Sequence, residues 1–125
     1  IVLSKVGSSG LLMIVFISAQ QPQIEGPIDS RFGRSAWLIK VETTSGQWQA
    51  FPNPGQKQSG GAGVAAAQFV IDQKADAVVS GDFGPNAFNA LQAANIPMVQ
   101  FTGEVSTCEQ ALVQFTQGKL PVFNK

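Results

Sequence analysis

Apolar and polar positions alternate along the chain in a way that predicts a mixed α/β domain. Leu12–Ser18 is an unbroken apolar run, as expected of a strand covered on both faces. The polar stretch Ala19–Ser35 follows, with Pro22, Gly26, Pro27 and Gly33, and is longer than an ordinary connection, as functional loops often are. Ala36–Glu42 and Gln47–Phe51 read as the two strands of a hairpin turning at Thr43-Thr44-Ser45-Gly46, with Pro52 ending the second. Beyond the polar stretch Asn53–Gly63 the period lengthens to that of a helix, with Val64, Ala67, Phe69, Val70 and Ile71 as its apolar face. Ala75–Ser80 is a short apolar strand. Pro85–Ala94 is a second helix, entered through Gly84 with proline in the first helical position, and buries Ala87, Phe88 and Leu91. Pro97–Phe101 is a fifth strand. The last helix is predicted from Ser106, with Glu109 completing a capping box, to Gly118.

The order βββαβαβα joins an antiparallel hairpin to right-handed parallel crossovers. If the first strand runs upward, so do the third, fourth and fifth. The loops Ala19–Ser35, Lys57–Gly63, Gly81–Asn86 and Thr102–Ser106 then share the upper edge of the sheet. Open α/β sheets bind ligands outside the carboxyl ends of their parallel strands. The amino end has two readings. Lys5 before the apolar run ending at Ala19 is one way to write a signal peptide, but the run is too short to span a membrane. A buried first strand is the better expectation, with 1–11 a leader or appended segment and 12–125 a single domain.

Composition narrows the chemistry. Of 125 residues 44% are hydrophobic and 13% charged, with eight basic and eight acidic side chains. Such a balance argues against a nucleic-acid coat or an acidic membrane surface as partner. There is no histidine and one cysteine, Cys108, which removes the usual general base, the commonest metal ligand and any multi-cysteine metal site within one chain. Cysteine usage fits a reducing compartment and a cytoplasmic location. Cys108 shares a helical face with Ala111, Leu112 and Phe115 and reads as a small buried thiol rather than a ligand. Trp37, Trp48, Phe51 and Phe69 are expected to pack the sheet faces.

What remains is a cluster of anion-binding chemistry on the upper edge. Ser59-Gly60-Gly61-Ala62-Gly63 runs into an alanine-rich helix, and a helix start offers unpaired N–H groups and a positive dipole end. The bland alternative is that these glycines only shape a loop and let helix approach sheet. Arg31 and Arg34, flanking Phe32 and Gly33, offer fixed forks of donors; the alternative is an ion pair to Asp29. Lys57 adds charge or is merely solvated. Phe32 is placed to close over a ligand. Gly84, Pro85 and Asn86 either line the same crevice or simply start the second helix.

Four short motifs in register carry a family resemblance: Asp29-Ser30-Arg31-Phe32-Gly33-Arg34, Ser59-Gly60-Gly61-Ala62-Gly63 with Ala66-Ala67-Gln68, Gly81-Asp82-Phe83-Gly84-Pro85-Asn86-Ala87-Phe88, and Gly118-Lys119-Leu120-Pro121. Over about 13–122 the chain resembles the dinitrogenase iron–molybdenum cofactor biosynthesis family: NifX-like and NifB-carboxyl-terminal domains and the stand-alone orange-protein type. The resemblance implies a ribonuclease H-like three-layer fold with a five-stranded mixed sheet. It also implies non-enzymatic binding or carriage of a metal–sulfur cluster, exchanged with a donor or acceptor protein. Many members place histidines where this chain has Arg31 and Ser59-Gly60, so histidine ligation is not available here. That departure points to the orange-protein type and its molybdenum–copper sulfide cluster, with an iron–molybdenum–sulfur cluster as the alternative. Two other functions stay open: a regulatory domain for a small organic or phosphate anion, and an adaptor for a cluster-bearing partner protein. A ribonuclease H-like nuclease would need a carboxylate on the first strand and others gathered around two metals. The first strand has none, and Asp29, Asp72, Asp76 and Asp82 are scattered in sequence.

Overall fold

The computed structural model describes residues 13–58 and 60–123; Leu12, Ser59 and the leader segment 1–11 lie outside the described residues. Five strands form one mixed sheet: β1 (Ile14–Ala19), β2 (Trp37–Glu42), β3 (Trp48–Pro52), β4 (Ala77–Ser80) and β5 (Met98–Gln100). Their spatial order is β3-β2-β1-β4-β5. β1 pairs antiparallel with β2 and parallel with β4, β2 antiparallel with β3, and β4 parallel with β5. Three helices cover the sheet, α1 (Ala62–Asp72), α2 (Pro85–Ala93) and α3 (Cys108–Thr116). The order βββαβαβα and the helix–sheet–helix layering are those expected of the ribonuclease H-like fold.

The central strand explains the unbroken apolar run. Successive side chains of a strand point to opposite faces, and here both faces are covered. Phe16 joins Leu38, Ala66, Ala67, Val70, Val78 and Leu91 beneath α1 and α2. Val15 and Ile17 join Ile39, Val41, Val79, Cys108 and Ala111 beneath α3. All of these are fully buried.

Several expectations shift. Val64 is 46% exposed and does not belong to the apolar face of α1; the buried stripe is Ala62, Ala66, Ala67 and Val70, and Val64 sits nearly half a turn away from it. Trp48 is 41% exposed because it opens β3, which among the described residues has a neighbouring strand on one side only. Pro52 ends β3 from inside the strand, tolerated because an edge strand loses no ladder bond there. The capping box of α3 lies one residue later than expected. Thr107 Oγ1 accepts from the Gln110 N–H at 3.1 Å, while the Gln110 side chain accepts from the N–H groups of Ser106 and Thr107. Glutamine serves the N3 position as well as glutamate, and so the box closes from Thr107 rather than Ser106.

The tail also finds a place that local pattern does not announce. The N–H of Gln100 donates to the Pro121 carbonyl at 2.9 Å and that of Phe123 to Met98 at 2.8 Å. Residues 121–123 thereby pair with the outer edge of β5, and Val122 bridges Val99.

Candidate functional site

With β1, β3, β4 and β5 running in one direction, their carboxyl ends and the loops that follow meet on one edge, as the directions of the strands predict. Arg31 forms a parallel bridge with Asp82 beyond β4, and Pro27 pairs with Thr107 at the start of α3. The Arg31–Arg34 segment sits across the ends of β1 and β4, the strands between which the connection reverses, where α/β sheets place their ligands.

Buried polar side chains hold this arginine loop from beneath. Ser18 and Ser80 end β1 and β4 and are fully buried. Ser18 Oγ donates to the Asp29 carbonyl at 2.6 Å and lies 2.7 Å from Ser80 Oγ, which reaches the Ser30 carbonyl at 3.4 Å. The Asp29 N–H donates back to the Ser18 carbonyl. At the other end, Asn53 Nδ2 donates to the Phe32 carbonyl at 2.9 Å and to Ser35 Oγ at 3.0 Å, while its Oδ1 accepts from the Gly55 N–H. Gly81 admits the close approach of Ser30, because a Cβ there would lie 2.8 Å from the Ser30 Cβ.

Two clefts flank the arginines. One, of about 240 Å³, is lined by Arg31, Phe32, Gly33, Arg34, Ala62, Gly63, Asp82 and Gly84. The other, of about 440 Å³, is lined by Gln20, Asp29, Ser30, Arg31, Arg34, Ala36 and Gln56. Arg31 and Arg34 thus stand on the ridge between them. The Arg31 guanidinium engages Asp29 through Nε and Nη2, both at 3.2 Å, and is held even more firmly in its charged form by that hydrogen bond and by the attraction of the carboxylate. Its side chain remains 65% exposed. Arg34 donates through Nη1 to the Gln58 carbonyl at 2.6 Å, tying the arginine loop to the glycine-rich loop.

The glycine-rich entry to α1 separates into different jobs. Gly61 is the N-cap, left-handed at φ 73°, with no side-chain cap on the helix N–H groups. A Cβ on Gly63 would meet the Ala87 Cβ at 3.0 Å, and one on Gly33 would meet the Gly63 Cα at 3.0 Å, so both serve close packing as well as lining. Gly55, not foreseen as special, is the tightest position, its missing Cβ facing the carbonyls of Ala62 and Gly33. Gly60 and Gly84 face open space.

Of the expected site residues, the structure brings Arg31, Phe32, Arg34, Gly63 and Gly84 around one cleft. Phe32 borders it, with its ring fully buried and packed on Phe83 at 5.3 Å between ring centres, so that it anchors the arginine loop. Lys57, Gly60, Gly61 and Asn86 stand at the same edge but line neither cleft. Ser59 lies outside the described residues. Sequence reasoning missed Ser18, Ser80 and Asn53, whose partners lie in other elements. The ion pair to Asp29 that the sequence offered as the alternative role for the arginines is present at Arg31, whereas Asp82, which borders the same ridge, was read only as one of several scattered acids. Cys108 is fully buried, and desolvation pushes its thiol up to about 12. Among the described residues no group of three or more Cys, Asp or Glu could hold a metal ion, and no helix is long and apolar enough to cross a membrane. The donors at the edge are therefore guanidinium and backbone N–H groups, which suit an anion.

Comparison with known proteins gives a consistent result. The family model described as dinitrogenase iron-molybdenum cofactor matches residues 13–118. The apo form of the orange protein from Desulfovibrio gigas is 35% identical, with a TM-score of 0.83 over 90% of this chain and 97% of that one. A NifB-type protein from Thermotoga shares the fold at 23% identity and a TM-score of 0.77, over 90% of this chain and 97% of its own. A dinitrogenase-type protein from Methanocaldococcus jannaschii shares it at 10% identity and a TM-score of 0.65, over 90% and 96%. No curated protein sequence matches the chain.

Proposed function

The chain belongs to the dinitrogenase iron–molybdenum cofactor family, and from that premise we propose that it binds and carries a metal–sulfur cluster without transforming it. The cluster is cargo, received from one protein and released to another. The observation that carries this reading is the convergence of Arg31 and Arg34 with the uncapped start of α1 on one edge. With no histidine in the sequence and the single cysteine buried, that edge has no soft side-chain ligand. In a thiomolybdate-type cluster the molybdenum already carries its own sulfides and the whole is an anion, so charge and N–H donors can hold it from outside. The cargo assigned first is a molybdenum–copper sulfide cluster, the type implied by resemblance to the orange proteins; an iron–molybdenum–sulfur cluster is the alternative. Arg31, Arg34 and Lys57 supply charge; Gly63 and Gly84 supply backbone donors in the cleft, with Gly60, Gly61 and Asn86 along the same edge; Phe32 anchors the loop that presents the arginines.

The test is an oxygen-free titration of the metal-free protein with tetrathiomolybdate, with and without copper. Visible absorption is followed, and retained metals are counted after desalting. Stoichiometric retention by the native chain, with at least tenfold weaker retention in the Arg31→Ala/Arg34→Ala double variant, is the expected result. Absence of retention with every metal combination overturns the reading in favour of a small-anion site or a protein adaptor, and phosphate-bearing ligands screened by thermal shift then separate those two.

A further inference from the structure

A site built only to attract an anion would not place a carboxylate against its most prominent cation, yet Asp29 lies there. Its side chain is almost fully buried, at 8% relative exposure for the residue. One oxygen, Oδ1, accepts from both the Arg31 backbone N–H at 2.9 Å and Arg31 Nε at 3.2 Å, and Oδ2 accepts from Nη2. The contact thus fixes the start of the arginine's backbone and the plane of its guanidinium together. Nη1 is left without a partner among the described residues. Asp29 is itself held: its N–H and carbonyl are both bound by Ser18, and Ser18 Oγ rests on Ser80 Oγ at the adjoining strand end. A chain of contacts therefore runs from the buried ends of β1 and β4, through Asp29, to the exposed face of Arg31.

Resting on the carrier reading above, we propose that Asp29 is a positioning residue for the cargo, orienting Arg31 so that its remaining donors face the cluster, with Ser18 and Ser80 as the support that holds Asp29. Prior orientation reduces the side-chain entropy lost when an anion binds. The weakened net charge is the cost of that order, and the two effects have opposite signs, which makes the role measurable.

The experiment compares native protein, Asp29→Asn and Ser18→Ala, with tetrathiomolybdate plus copper as probe across a salt series. Asp29→Asn adds one unit of net positive charge. A mere counter-charge, once removed, would leave retention equal to or stronger than native, most of all at low salt; that outcome overturns the proposal. Positioning predicts about tenfold weaker retention at every ionic strength, with an altered visible spectrum of the bound metal. Ser18→Ala leaves both charges in place and is expected to weaken retention about threefold; unchanged retention overturns its supporting role. A readout on the native, metal-free chain stands apart from cargo and from the folding of any variant. Relaxation at Arg31 Nε should report a side chain as rigid as well-ordered backbone, with an order parameter of ~0.85, and free averaging below ~0.6 overturns the proposal. Failure of the native chain to retain any metal would overturn the carrier reading itself, whereas native retention with undiminished retention in Asp29→Asn overturns only the positioning role.

Discussion

Single residues carry much of what is unusual here, and their surroundings decide what they do. Arg31 is exposed, yet a buried carboxylate grips it from one side. Cys108 is the opposite case: a reactive group made inert by burial. Burial pushes its thiol up to about 12 from the ordinary value of 9.0. The folded state therefore keeps a proton that the unfolded chain releases once the pH exceeds the unfolded value, so the thiol costs nothing below about pH 9. Between there and about pH 12, stability falls by on the order of 1.4 kcal/mol per pH unit from this group. Denaturant unfolding of native protein and Cys108→Ala should show it: the native chain loses its advantage as pH rises through this window. The same burial predicts slow reaction of Cys108 with thiol reagents in the folded protein at pH 8.

At the scale of elements, the join between the short 3₁₀ turn Pro54–Lys57 and α1 is where composition and geometry part company. The stretch around it is rich in glycine, and by type the glycines are interchangeable. Gly55, however, packs so close to the carbonyls of Ala62 and Gly33 that a methyl group has no room, while Gly60 faces open space. Gly55→Ala is expected to cost roughly 3 kcal/mol, since backbone must move to admit it, and Gly60→Ala to stay within about 0.5 kcal/mol of native. Chemical denaturation of the two variants checks this; equal effects would show that the approach of the turn to α1 is not what demands glycine. The helix starts follow the same logic. Thr107 caps α3 with its own side chain, but α1 and α2 begin at Gly61 and Gly84 with no side-chain cap. The two uncapped starts lie beside the arginine cleft, and the capped one is a core-packed helix with no part in it.

For the whole molecule, the tail links the far edge of the sheet to the site. Phe123 packs on Phe83 at 5.0 Å and Phe88 at 6.0 Å, and Phe83 in turn packs on Phe32 beneath the arginine loop. Backbone pairing of residues 121–123 with β5 fixes the ring in place. Phe123→Ala should lower global stability by about 1–3 kcal/mol, less than a fully buried phenylalanine because the residue is only half-buried. Thermal unfolding measures that loss directly. An unchanged midpoint would mean that the tail rests on the sheet without contributing to it.

Element order, the layered fold and the edge on which the candidate loops gather were legible in the sequence because each is written in local period and direction. The unbroken apolar run of β1 requires two covered faces, and the strand–helix alternation then dictates which loops share an edge. The lack of histidine and the single cysteine likewise limited the chemistry before any fold was known. Tertiary structure alone decided which candidates act together. Asp82 looked like a scattered acid until the loop after β1 folded over the end of β4, and only that fold decided that Arg31 rather than Arg34 takes the ion pair to Asp29. Ser18, Ser80 and Asn53 gave no local signal, since a hydroxyl or amide is defined as support only by a partner from another element. Val64 and Trp48 match apolar patterns as well as their buried neighbours do, and only the direction in which α1 rolls and the edge position of β3 among the described strands exposed them. Period encodes which face a residue takes; contact between distant segments determines what that face meets.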